Sequence, residues 1–168
     1  KKKLLKGNIS KVTEISKENS NIIKDIKYLS EDNLGNTYKI NAKTGEINND
    51  NPDIILLKNV IARISIVNSD DIFIYADFAK YNNKNYNTNF YENIKVEYID
   101  HKINCKYLDL LFNKNLALLR EDIIYKSLKS KLFADTLEID LITKNSKISM
   151  KDKKQKIKVV YNKLNGNY

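Results

Sequence analysis

The chain has no tryptophan, one cysteine, one histidine, one proline and four glycines among 168 residues. Each scarcity excludes something. A single histidine, His101, rules out a histidine-rich metal site and leaves a Ser-His-Asp arrangement improbable. Placed in Asp100-His101-Lys102 between two alternating segments, it reads as a solvated turn residue. A single cysteine, Cys105, cannot form an internal disulfide, and both a periplasmic and a cytosolic home stay open. It lies on an apolar face with no evident activating partner and reads as a buried structural thiol. So little glycine and proline excludes a collagen-like or linker-like chain, and there is no glycine-rich loop to cradle a phosphate. No run approaches eighteen apolar residues, so no transmembrane helix is expected within the sequence, and no signal-peptide pattern is present. The acid pairs Asp70-Asp71 and Glu121-Asp122 precede strand-like runs and read as turn residues. No catalytic constellation emerges, so neither an enzyme nor a cofactor or metal site is expected.

Positive charge is abundant, but not where a nucleic-acid fold would carry it. The net charge is +9. Residues 1–27 hold eight lysines against three acids, and residues 151–168 hold six against one. The body, residues 28–150, is near neutral. A nucleic-acid-binding domain places its basic stripe on the folded body among stacking aromatics, so that class becomes a minor one, confined to the tails. The abundant asparagine and lysine read as compositional bias rather than chemistry.

A body of this length can bury a core, and its pattern is of strands. The stretch Asp71–Asn82 sets the theme: Ile72, Ile74, Ala76 and Phe78 share one face at period two, with Phe73, Tyr75, Asp77 and Ala79 on the other. Similar segments run Thr37–Ala42, Ile54–Leu57, Val60–Ile66, Ile94–Tyr98, Ile103–Leu111, Ile123–Tyr125, Leu132–Leu141 and Lys147–Met150, with Ile157–Tyr161 extended. Lys43-Thr44-Gly45-Glu46 reads as a tight turn. No helical period is convincing in residues 28–150. Small residues recur in register at Ala42, Ala76, Cys105 and Ala134, separated by 34, 29 and 29 residues. The last three are followed three residues on by Ala79, Leu108 and Leu137. Asn- or Asp-led pairs, Asn59-Val60, Asn93-Ile94 and Asp122-Ile123, open the preceding strands. This predicts hairpins repeated as an array, although a generic antiparallel sandwich shows the same alternation.

Four segments carry a resemblance to a known family. They are Gly35–Ala42, Ile55–Ala62, Ala76–Tyr81, and Phe90–Val96 with its return through Cys105 and Leu108. Together they resemble the LptC family, the periplasmic lipopolysaccharide-transport subunit, and the domain it shares with LptA. The resemblance spans about Tyr28 to Met150, with Asn-Asp-Lys turns where the family usually has glycines. It implies an all-β, twisted open β-jelly-roll of two antiparallel sheets built from repeated hairpins. It divides the chain into a basic leader (1–27, extended or partly helical), the jelly-roll domain (28–150) and a basic tail (151–168). It also implies a lipid-transfer role: lipid A acyl chains held in an apolar trough and passed from an inner-membrane ABC transporter to a periplasmic LptA-like protein. The family sits on the periplasmic face of the inner membrane of Gram-negative cells, on an anchor helix that would precede Lys1. The expected trough lining is Ile64, Ile66, Ile74, Ala76, Phe78, Ile94, Val96, Tyr98, Ile103, Cys105, Leu132 and Ala134. Leu132, Ala134, Leu137 and Ile139 are expected at a partner-docking edge. The alternative from the residues alone is a structural or adhesive β-repeat protein with a filled core and no lipid.

Overall fold

A computed structural model describes residues 22–32 and 34–161, and it is all β apart from a single 3-10 turn at Phe112–Lys114. The strands are β1 (Ile22–Glu31), β2 (Thr37–Ile47), β3 (Ile54–Ser65), β4 (Ile72–Asn82), β5 (Thr88–Tyr98), β6 (His101–Leu111), β7 (Leu116–Lys126) and β8 (Ser130–Asp140). Two short strands follow, β9 (Ser146–Ser149) and β10 (Lys158–Tyr161). From β1 to β8 each strand pairs antiparallel with the next, and β9 and β10 both pair with β8. Every connection is local, as a chain of hairpins requires. β1 begins at Ile22, inside the expected leader, and β10 lies inside the expected tail; residues 1–21 and 162–168 of those two segments lie outside the described residues.

Asparagine has a use after all. Asn48, Asn82 and Asp140 each close a strand and accept two backbone N–H groups of the following turn through one side-chain oxygen, at 2.7–3.3 Å. Asp32 does the same for Leu34 and Asn36. These Asx turns bend the chain where glycine would otherwise be needed.

The strands are longer than the alternation suggested because each is broken in phase, not in continuity. In β3 the buried positions are Ile55 and Leu57, then Val60, Ala62 and Ile64. The phase slips at Asn59, whose φ of 52° is left-handed. Similar slips fall at Asp25 in β1, Glu92-Asn93 in β5 and Glu121-Asp122 in β7, all with positive φ. Ladder shifts accompany the slips on either side of β5 and β7. A bulge inserts an extra residue, so the inward face resumes three or four positions on instead of two. That is the reason for the spacings Ala76/Ala79, Cys105/Leu108 and Ala134/Leu137: all six residues are buried. Glu121-Asp122 is therefore a mid-strand bulge and not a turn. The expected turn at Lys43–Glu46 is likewise strand: Gly45 is buried mid-β2, where a Cβ would run into Ile26 and Leu57.

The bulges line up across the sheet, since Ile26 pairs with Ala42, Ala42 and Ala76 with Val60, Ile94 with Cys105, and Ile123 with Ala134. Along this line the sheet folds over. Tyr28 on β1 stacks on Tyr81 of β4 with ring centroids 4.3 Å apart, although in a flat sheet the three strand spacings alone would hold them at least roughly 14 Å apart. Tyr38 of β2 meets Phe112, beyond β6, at 4.7 Å. The two expected layers are thus two halves of one continuous ladder, and each long strand serves both. Near the fold line the layers converge, so the residues there are small or fully buried: Ala42, Val60, Ala76, Ala79, Ile94 and Cys105.

Candidate functional site

Away from the fold line the layers diverge around a cleft of about 340 Å³. One wall comes from the halves of β3, β4, β5 and β6 that meet at the β3–β4 and β5–β6 turns: Ile64, Ile66, Ile72, Ile74, Val96, Tyr98, His101 and Ile103. Tyr38 and Tyr125 extend it. The facing wall comes from the opposite halves of β6, β7 and β8: Leu108, Leu110, Ala117, Leu119 and Ile139, then Phe112, Leu141 and Lys144 past the strand ends. Alternation puts these side chains inward, and the bulges keep them inward in both halves of every strand.

Of the twelve residues expected to line a trough, six do: Ile64, Ile66, Ile74, Val96, Tyr98 and Ile103. Ala76, Ile94, Cys105 and Ala134 are buried at the fold line, packed beneath the cleft. Leu132 is half-buried against the core, away from the lining. Phe78 is a correction. The slip after Ala76 turns it to the outer face, where it stacks on Tyr91 at 5.4 Å with the Lys58 ammonium over its ring. Strict period two could not show this, because the slip in β4 leaves no left-handed residue or glycine in the strand.

The expected partner edge needs a second correction. β8 is not a free edge: β10 pairs with Ser130–Phe133, and β9 pairs with Thr136–Ile139. Leu132 faces Val159 in the ladder, Leu137 faces Ile148 and Ile139 faces Ser146, while Ala134 is buried. These two strands fall on the expected extended segments Lys147–Met150 and Ile157–Tyr161, but alternation could not show that both pair with β8, each over only four residues.

Polar groups on the lining gather at the lips, where the wall strands end. The Tyr38 hydroxyl donates to Asp32 Oδ2 at 3.3 Å. Burial, then the nearby Asp32 carboxylate, push its pKa up to about 12. Tyr98 Oη shares a hydrogen bond with Ser69 Oγ at 3.2 Å. His101, expected in solvent, stacks between Tyr98 and Tyr125 and bonds Tyr125 Oη through Nδ1 at 2.6 Å. Sequence gave no sign of this, because Tyr125 lies 24 residues away. Burial pushes the Cys105 thiol to about 12, which makes it unreactive in its place beneath the lining.

The outer face carries a different set. Arg63 and Phe73, Lys95 and Tyr75, and Arg120 and Tyr107 pair as cations over rings. A shallow groove of about 400 Å³ runs past Lys80, Tyr91, Tyr107, Asp109 and Arg120. Asp77 accepts from Asn93 Nδ2 at 2.5 Å and Asp122 pairs with Lys106 at 2.7 Å, each tying a bulge to the neighbouring strand. Among the described residues no helix is long and apolar enough to cross a membrane, and no His, Cys, Asp and Glu group is placed to hold a metal.

No protein-family model matches the sequence, and no curated protein matches it. The fold is similar to a solved one, the crystal structure of LptH, the LptA homologous periplasmic component of the conserved lipopolysaccharide transport device from Pseudomonas aeruginosa. The TM-score is 0.53 at 9% identity, over 73% of this chain and 93% of that one. At that identity the likeness is one of fold. The chain has the open, all-antiparallel β architecture of an LptA-type domain, and nothing in the likeness singles out LptC.

Proposed function

We propose that this protein carries a lipid with acyl chains, lipopolysaccharide held through its lipid A part, in the cleft between the two layers of its sheet. In this reading it works in the periplasm, receives lipid from an inner-membrane ABC transporter as LptC-like proteins do, and passes it to an LptA-like jelly-roll neighbour. Its action is binding and release, without catalysis, and the energy comes from elsewhere. The observation that carries the reading is the cleft itself, whose walls are Ile, Leu, Val and Ala away from the lips. A volume of about 340 Å³ lies at the lower end of the roughly 300–1,000 Å³ typical of ligand pockets. Acyl chains need no polar contacts to stay there, since each buried methylene contributes about 0.8 kcal/mol. The likeness to LptH supports the choice of lipid.

The test is a photo-reactive amino acid placed singly at Ile74 and Val96 on the wall and at Phe73 and Phe78 on the outer face. The purified protein is irradiated with lipopolysaccharide. Capture from the two wall positions and little from the outer two is expected. Equal capture from all four, or none, would sink the reading and favour a structural β-repeat.

A further inference from the structure

The lining of the cleft is uneven in one respect: every polar side chain in it stands at the lips. These are Tyr38, Tyr98, His101, Tyr125 and Lys144, and no carboxylate joins them. Tyr38 is committed to Asp32 and Tyr98 to Ser69. The other three keep donors to spare. His101 and Tyr125 hold two protons between a neutral imidazole and a phenol, and their shared 2.6 Å bond uses one. Whichever way that bond runs, one N–H or O–H is left uncommitted. Lys144 spends one of its three N–H groups on the Leu141 carbonyl, at 2.7 Å. No acid forms a direct ion pair with Lys144 among the described residues, and the nearby Asp140 carboxylate, which feels its charge, is held by the backbone N–H groups of Ile142 and Thr143. His101 is also held in place, stacked between two tyrosine rings, so its orientation is set before a ligand arrives.

From this we infer that the His101–Tyr125 pair and Lys144 form a headgroup site that selects amphiphiles with an anionic, acceptor-rich headgroup such as a phosphate monoester. The apolar wall takes the chain and the lips read what is attached to it. The inference rests on the lipid-cleft reading and adds the polarity of the bound molecule: tail toward the fold line, anion between the lips. Donors beside a low-dielectric cleft strengthen a charge-assisted bond, and the lining itself adds no carboxylate to repel the anion, those of Asp32 and Asp140 nearby being engaged as hydrogen-bond acceptors. These are specificity residues, not catalytic ones.

The experiment uses two probes with the same chain, dodecyl phosphate and dodecanol, each displacing the fluorophore N-phenyl-1-naphthylamine from the whole protein below their aggregation limits. The parent should bind the phosphate about tenfold tighter than the alcohol, the range of one or two charge-assisted bonds. In the ring-preserving double variant H101F/Y125F, and separately in K144M, that ratio should move toward one, with the larger loss falling on dodecyl phosphate. The outer-face variant K106M, which removes the same charge, should keep the ratio. If H101F/Y125F proves unstable, K144M still decides. Equal binding of the two probes by the parent, or a ratio untouched in K144M, overturns the headgroup site and leaves the lipid cleft standing. Failure of both probes to displace the fluorophore overturns the cleft reading itself.

Discussion

At the scale of the residue, the fold line explains which side chains had to be small. Two layers of one sheet converge there, so Ala42, Ala76, Ala79 and Cys105 fill space that a leucine would overfill at a cost of roughly 1–3 kcal/mol. Recurring small residues on a large apolar face were visible in the sequence, but their meaning was not. They could mark room for a ligand or a tight approach, and only the bulge register decides for the second. Phe78 shows the same limit, since a single slipped residue puts it outside while Ile74, four positions earlier, stays in. Cys105 gives a direct check. Its thiol, raised by burial to about 12 from an ordinary 9.0, carries almost no thiolate at pH 8. Iodoacetamide should therefore leave the native protein unmodified and label it fully in urea, as read by intact mass. The sign for stability follows: the contribution of the protonated thiol is whole below pH 9.0 and is lost as pH rises from there through about 12. Rapid native labelling would place Cys105 on an accessible wall and not beneath it.

At the scale of the element, the strands were legible as strands and their lengths were not. A bulge ends the alternation without ending the ladder, so β3 looked like two segments, Ile54–Leu57 and Val60–Ile66, when it is one twelve-residue strand. The sign of the bulge was nonetheless present: an Asn or Asp just before an apolar residue, and inward residues three apart. Asparagine tolerates left-handed φ better than most side chains, which suits Asn59 and Asn93, whereas Glu92 and Glu121 hold φ of 62° and 64° at a cost. Two substitutions separate these cases. N59V puts a β-branched residue at φ 52° and should destabilise by about 1–2 kcal/mol. E121G removes a left-handed penalty of similar size and gives back part of it in chain entropy, for a net gain of about 0.5–1 kcal/mol. Urea melts at constant slope measure both. An N59V protein as stable as its parent would mean that β3 does not need its bulge to stay in register.

At the scale of the whole molecule, the open all-β architecture followed from alternation and local turns, but the face-to-face partners did not. Antiparallel pairing of neighbours says nothing about which distant strands meet across a cleft, and the contacts that close it, Tyr28 on Tyr81 and Tyr38 on Phe112, join residues 53 and 74 positions apart in the chain. The second contact bears on function because it sits where the lips meet. Tyr38 is fixed by its bond to Asp32, while Phe112 sits on the 3-10 turn between β6 and β7, so the clasp is anchored on one side and carried by a turn on the other. An edge-to-face aromatic pair contributes about 1 kcal/mol beyond its buried area. If that energy favours a closed cleft, removing it makes opening about fivefold more frequent. F112A should then take up N-phenyl-1-naphthylamine about fivefold faster in stopped flow, with a fall in unfolding stability of about 1–3 kcal/mol from the lost ring. The two readouts are independent, because lost packing alone lowers stability without speeding entry. An uptake rate equal to the parent's beside the expected loss of stability would show that the lipid path does not pass between Tyr38 and Phe112, and would move the entrance along the seam toward His101 and Lys144.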